Sequence, residues 1–228
     1  MPTLAQALDL ALRHHQAGDL PSAEAIYRQI LQADPNHADA HHLLGVLAYQ
    51  LGRYPLAIDH LSRAIAIDGG IPAFHNNLAK AYHAQCCFPE AIAAYQRALS
   101  LKPSFADAAY NLGNIFNELG QIDEAAAAFR RAVEHQPDFA WAHNNLANTL
   151  QLQGLPGQAI PAFRRALELM PDFAEAHNNL GYAYAQKGEL DLAVAQFQEV
   201  VRINPHNPTA QSNLAKAQAM LLSVPGSN

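Results

Sequence analysis

Apolar residues recur three and four apart along nearly the whole chain, as at Leu112, Ile115, Phe116 and Leu119. This spacing is the buried stripe of an amphipathic helix. The stripe breaks at regular points, so the chain reads as a series of short helices. A larger order appears when the sequence is laid on itself at a step of 34 residues. Proline recurs at Pro35, Pro103, Pro137, Pro171 and Pro205, with Gly69 in the missing register. Leucine fills one column at Leu10, Leu44, Leu78, Leu112, Leu146, Leu180 and Leu214. The next column is always small, at Ala11, Gly45, Ala79, Gly113, Ala147, Gly181 and Ala215. Alanine recurs at Ala23, Ala57, Ala91, Ala125, Ala159 and Ala193, followed one turn later by Tyr27, Leu61, Tyr95, Phe129, Phe163 and Phe197. Glycine stands mid-repeat at Gly18, Gly52, Gly120, Gly154 and Gly188, with Cys86 as the exception.

Each column has a physical reason. A large residue beside a small one lets two helices approach closely. The mid-repeat glycine ends the first helix, because glycine adopts positive φ without steric cost. The alanine marks where the second helix crosses the first, and the large residue one turn on fills the hairpin. The proline stops the second helix. The pattern predicts an all-α, right-handed superhelical solenoid of helix-turn-helix repeats. Repeats are expected at 4–37, 38–71, 72–105, 106–139, 140–173 and 174–207, in a single array over 4–222, with a capping helix at 208–222 and a flexible tail at 223–228. The pair Gly69-Gly70 predicts the most variable joint.

The register resembles the tetratricopeptide pattern of Leu-Gly-x-x-Tyr, then Ala-x-x-x-Phe, then Pro. The resemblance runs from residue 4 to about residue 222. In such solenoids the first helices of successive repeats line an inner wall used for binding. The column just before the leucines runs Asp9, Leu43, Asn77, Asn111, Asn145, Asn179 and Asn213. Asparagine is a poor helix former, so its recurrence asks for a reason. An amide offers both a donor and an acceptor, and so can bridge the N–H and C=O of an extended peptide whatever its side chains. The competing reading is that these amides bond to neighbouring helices and order the stack. The phrases His-Asn-Asn-Leu at 75–78, 143–146 and 177–180 are similar to repeats of the O-linked N-acetylglucosamine transferases. That resemblance implies an asparagine ladder, at Asn77, Asn111, Asn145 and Asn179, holding the backbone of a protein. It stops at the repeats, and no room for a glycosyltransferase domain is expected. Flanking inner positions are Asp39, Asp107, Trp141 and Glu175 on one side, and Lys80, Asn114, Asn148, Tyr182 and Lys216 on the other. Of these, Asn114, Asn148, Lys80, Trp141 and Tyr182 join the expected peptide-binding set. Paired Lys and Arg for clamping a C-terminal carboxylate are missing.

Charge and chemistry narrow the picture further. The net charge is −6, with a pI near 6.0, which does not suggest a nucleic-acid partner. Cys86 and Cys87 are adjacent and cannot staple distant segments, so a reducing compartment fits. Met1 to Leu12 lacks a basic stretch followed by an apolar run, and no window reaches the roughly 18 apolar residues of a membrane span. A cytoplasmic protein is expected. His41, His75, His143 and His177 share a column, but a whole hairpin separates one from the next, so packing is expected rather than metal binding. Arg63, Arg97, Arg130, Arg131, Arg164 and Arg165 form a stripe on the second helices, with Arg130–Glu134 and Arg164–Glu168 as expected pairs. Nothing resembles a nucleophile–base constellation or a phosphate loop, so no enzyme activity and no cofactor or metal is expected. The sequence points to a scaffold holding an extended segment of a protein partner. Its rivals are the substrate-recognition part of a glycosyltransferase-type system and a self-assembling scaffold, a homo-oligomer.

Overall fold

The computed structural model describes residues 3–223. Among the described residues there are thirteen α-helices and no strand. They are α1 (Leu4–Gln16), α2 (Leu20–Ala33), α3 (Ala38–Gln50), α4 (Tyr54–Ile67), α5 (Pro72–Ala84), α6 (Phe88–Leu101), α7 (Ala106–Glu118), α8 (Ile122–His135), α9 (Ala140–Leu152), α10 (Pro156–Leu169), α11 (Ala174–Gln186), α12 (Leu190–Ile203) and α13 (Pro208–Leu222). The chain divides into two compact units, Met1–Ile115 and Phe116–Asn228. In the first, α1 with α2, α3 with α4 and α5 with α6 form hairpins, and α2 packs on α3 and α4 on α5. In the second, α9 with α10 and α11 with α12 do the same, with α8 against α9, α10 against α11 and α12 against α13.

The hairpins close around the columns of the sequence. Ala11, Ala23, Tyr27, Leu44 and Leu47 form one buried cluster; Ala48, Ala57, Leu61 and Ala81 form the next. In the second unit Ala125, Phe129, Ala159, Phe163, Ala193 and Phe197 are buried. The small column is set by contact distance. A Cβ on Gly45 would lie 2.7 Å from Leu61 Cγ, and one on Gly181 would lie 2.8 Å from Phe197 Cε1. The helices of these hairpins therefore touch backbone to side chain, and only a small residue lets them do so.

The mid-repeat glycines all have φ between +71° and +79°. Cys86 takes their place at φ +56°, the only non-glycine with positive φ among the described residues. The joints between repeats obey a different rule. Asp34 and Asp68 end α2 and α4 with the same dihedrals, φ −138° and ψ 93°, although Pro35 follows the first and Gly69 the second. In both joints the aspartate Oδ1 accepts a backbone N–H two residues on, from Asn36 at 3.1 Å and from Gly70 at 3.0 Å. Neither Gly69 nor Gly70 uses positive φ.

The histidine column fixes these joints. Nε2 donates to the carbonyl six residues earlier: His41 to Pro35 at 3.1 Å, His75 to Gly69 at 3.0 Å, His143 to Pro137 at 3.1 Å and His177 to Pro171 at 2.9 Å. A carbonyl only accepts, so the bond sets the tautomer. Each ring thus ties the start of its helix to the turn before it. On the second helices, Glu168 pairs with Arg165 at 2.9 Å, not with the expected Arg164, and Arg63 pairs with Asp59 at 3.2 Å. No helix among the described residues is long and apolar enough to cross a membrane.

Candidate functional site

The expected peptide-binding residues fall on the first helices of their hairpins and are distributed over both units. Asn77, Lys80, Asn111 and Asn114 belong to the first unit, on α5 and α7. Trp141, Asn145, Asn148, Asn179 and Tyr182 belong to the second, on α9 and α11. All six asparagines and Lys80 are half-buried, while Trp141 and Tyr182 remain 45% and 43% exposed.

The asparagines are held by a second column that the sequence reading passed over. Asn76, Asn144 and Asn178 immediately precede ladder positions, and the first two are buried. Each donates its Nδ2 to the Oδ1 of the next residue: Asn76 to Asn77 at 3.4 Å, Asn144 to Asn145 at 3.3 Å and Asn178 to Asn179 at 3.4 Å. The signal was present as the doubled Asn in the repeated phrase. Read as one ladder residue plus a neighbour, it hid a supporting amide behind each presenting one.

Two members also link successive repeats. Asn77 Nδ2 donates to His42 Nε2 at 2.8 Å, and Asn213 Nδ2 donates to Asn178 Oδ1 at 3.0 Å. Asn144 links repeats in the opposite direction, donating forward to Glu175 Oε1 at 3.0 Å. The column therefore orders the stack at these points. Asn111 and Asn148 are different, with no side-chain hydrogen bond among the described residues.

In the first unit the site contains real hollows. A cavity of about 180 Å³ is lined by Val46, Tyr49, Gln50, Leu61, Asn77 and Lys80. A second, of about 280 Å³, is lined by Tyr49, Lys80, His83, Ala84, Tyr95 and Asn111. Lys80 and Tyr49 border both. The structure thus places Asn77 with Lys80 and Lys80 with Asn111.

In the second unit the aromatics are propped from beneath. Trp141 lies on Phe173 with centroids 4.3 Å apart, and Tyr182 meets Phe197 edge-on at 5.3 Å. Both rings therefore present fixed, partly exposed surfaces at little further entropic cost. Among the described residues no group of three or more His, Cys, Asp or Glu is placed to hold a metal ion. Cys86 is exposed and Cys87 half-buried, and both are free thiols.

Comparison with known proteins fits this architecture. Models of the tetratricopeptide repeat match residues 8–72 and 144–208, and a second model of the same repeat matches 88–120 and 113–154. No curated protein matches the chain in sequence. Among solved structures, MamA is 28% identical with a TM-score of 0.66, the alignment covering 72% of this chain and 96% of that one. YrrB, described as a TPR protein with an unusual peptide-binding site, is 22% identical with a TM-score of 0.72, covering 83% of this chain and 97% of its own. The pilF protein of Pseudomonas aeruginosa is 20% identical with a TM-score of 0.80, covering 95% and 96%. The last two likenesses are likenesses of fold.

Proposed function

The chain belongs to the tetratricopeptide repeat family, and on that footing we propose that it is a protein–protein interaction scaffold holding an extended peptide segment of a partner through its asparagine column. The observation that carries this reading is the pairing of amides at Asn76–Asn77, Asn144–Asn145 and Asn178–Asn179. In each pair the second Asn has its carbonyl engaged by the first. An amide carbonyl keeps a second lone pair when one is engaged, and an amide nitrogen carries two hydrogens, of which Asn77 gives one to His42. A peptide backbone offers the complementary N–H and C=O groups at every residue. Asn77, Asn111 and Asn114 serve the first unit, and Asn145, Asn148 and Asn179 the second. Trp141 and Tyr182 supply apolar contact area. YrrB, with its peptide-binding site, supports the reading as a protein of similar fold.

A second reading is favoured by one sequence feature. The repeated His-Asn-Asn-Leu phrase resembles those of O-linked N-acetylglucosamine transferases, which fits a substrate-recognition part of such an enzyme system. The ladder would then hold a substrate protein rather than a standing partner.

The test is the triple variant Asn111→Ala, Asn145→Ala, Asn179→Ala. Partners are first captured on the wild-type chain, and their affinities are then compared by calorimetry. Each lost amide removes hydrogen bonds with a net value of about 0.5–1.5 kcal/mol. Three should weaken binding by about 1.5–4.5 kcal/mol, from roughly tenfold to over a thousandfold. Helicity should stay at the wild-type level, since none of the three lies in the hairpin core. A folded variant with unchanged affinity would remove the ladder from the binding site. An unfolded one would make the column a structural tie, as Asn77 and Asn213 already are in part.

A further inference from the structure

A hollow of about 310 Å³ in the first unit shares no residue with the asparagine column. Its polar lining comes from Arg28 and Gln32 on α2, His41 on α3, and His60 and Arg63 on α4. Among the described residues no carboxylate lines it. A water takes about 30 Å³ of the liquid, so the hollow has room for a guest of several heavy atoms.

The two guanidiniums are held in place but not used up. Arg28 gives Nε and Nη2 to Glu24 at 3.1 and 2.7 Å, and Arg63 gives Nε to Asp59 at 3.2 Å. An arginine has five N–H donors, so each keeps several for a guest. Both side chains are exposed, and a guest from solvent can reach them.

His60 is the member that packing does not call for. The matching positions of the other second helices hold Ile26, Ala94, Ala128, Ala162 and Gln196. Gln196 meets His177 Nδ1 through its amide at 2.8 Å, so an uncharged group suffices to partner the histidine column. At His60 the proton positions follow from a carbonyl. His41 Nε2 donates to Pro35, so His41 Nδ1 accepts, and His60 Nδ1 donates the 3.0 Å bond between the rings. His60 Nε2 is left without a partner among the described residues. It is a bare lone pair in the neutral ring and a second donor in the protonated one. Burial, the His41 ring, Arg63 and Arg28 all disfavour that second proton, and Asp59 opposes them. An anion in the hollow would offset the arginines and draw the proton on.

Such a guest must accept from guanidiniums on two helices and from His60 between them in charge. A carboxylate has two oxygens, and one arginine fork satisfies both. A phosphoryl group has three acceptor oxygens and a charge of about −1.5 to −2 near neutral pH. We propose that the Arg28–His60–Arg63 hollow binds a phosphoryl group, carried on a phosphorylated side chain or free as phosphate. His60 takes up a proton as the anion arrives and donates through Nε2.

The probes are inorganic phosphate and N-acetyl-phosphoserine amide, titrated by calorimetry into the intact chain at about pH 7.5, where both are largely dianionic. Acetate is the control, and it should bind about tenfold or more weakly than either. Tighter binding of the phosphoserine probe assigns the site to a phosphorylated side chain, and equal binding assigns it to free phosphate. Arg28→Gln and Arg63→Gln should each weaken binding about tenfold, because a charge-assisted hydrogen bond is lost. Arg97→Gln, at the position matching Arg63 in the next repeat and outside the hollow, should leave it unchanged. Titrations in two buffers of different ionisation enthalpy should show proton uptake by the wild type and none by His60→Gln, whose helicity should be unaltered. The absence of saturable phosphate binding, or an equal loss in Arg97→Gln, would overturn the site. Proton uptake that persists in His60→Gln would remove His60 from it.

Discussion

The Tyr27 hydroxyl donates to His15 Nδ1 at 3.3 Å, and His15 Nε2 passes the link on to Gln50 Oε1 at 2.7 Å. A core tyrosine of the first hairpin is thereby wired to the first helix of the second. Tyr95, two repeats on, has the same ring and no such link. The two phenylalanine variants should therefore part company. Tyr27→Phe loses a satisfied bond and should cost about 0.5–1.5 kcal/mol. Tyr95→Phe removes an unsatisfied buried hydroxyl and should leave the ligand-free protein unchanged or more stable. Urea midpoints of the two variants decide the matter, and equal losses would show that the Tyr95 hydroxyl has a partner after all.

Cys86 sits at φ +56°, where every other repeat turn described has glycine. A non-glycine residue held there costs of order 1–3 kcal/mol. Glycine would relieve this but bring extra chain entropy to the unfolded state, at roughly 0.5–1 kcal/mol. Cys86→Gly should therefore stabilise the protein by about 1 kcal/mol. Cys86→Ala keeps the Cβ and should gain nothing. A thermal melt in reductant, with the two variants side by side, separates conformational relief from loss of the thiol.

Much of the fold was legible because it rests on columns with a steric cause. Gly45 and Gly181 had to be small, and the structure shows what a Cβ would strike. Gly18 and its counterparts had to adopt positive φ, and they do. The joint at Gly69 carries no proline, and the sequence pattern does not say what turns the chain there. Asp68 and the His75 ring shape it instead, through bonds six residues apart or fewer, which no hydrophobic pattern records. The candidate site was half legible. The presenting asparagines could be placed by register, but their supports at Asn76 and Asn144 could not, since one-residue steps do not appear as helical periodicity. The Tyr95 hydroxyl was hidden for another reason. An aromatic column reads as core, and only coordinates show whether a polar tip within it is satisfied.

That joint yields a prediction of its own. Asp68 already has the dihedrals of Asp34, which precedes a proline, and the Gly69 N–H makes no backbone hydrogen bond. Gly69→Pro should restrict the unfolded chain, provided the backbone gives by a few tenths of an ångström where the new Cβ would lie 3.2 Å from the Ile65 carbonyl oxygen. The gain should be about 0.4–1 kcal/mol. The His75 bond to the residue 69 carbonyl survives the change, because proline keeps its C=O. A raised urea midpoint with an unchanged slope is the expected result. A loss of stability would mean that the joint differs from that at Pro35 in a way its dihedrals do not show.

Stability should also depend on pH, with a sign set by three histidines. Burial, above all, holds His42, His60 and His143 below the ordinary imidazole range. Nearby positive charge acts in the same sense, from Arg63 and Arg28 on His60 and from Arg165 on His143, and the neighbouring His41 ring likewise disfavours a second charge on His60. Asp39 opposes the shift at His42, as do Asp59 at His60 and the Pro137 carbonyl at His143. A folded-state pKa below the unfolded value means that the unfolded chain binds more protons on acidification. The contribution is therefore fully present above the unfolded pKa of about 6.5 and is lost as pH falls towards the depressed folded values. Urea midpoints should be level at and above about pH 7.5 and decline towards about pH 5. That window lies above the titration of Asp19, whose carboxylate is held low chiefly by its bonds to Ser22. His60→Gln provides the control. Its amide can still donate to His41 Nδ1, where His60 Nδ1 now lies at 3.0 Å, but it cannot take up a proton. The variant should lose part of the pH slope while staying close to the wild type at neutral pH. A slope of the opposite sign would show that these rings are stabilised as cations in the fold and not as neutral donors.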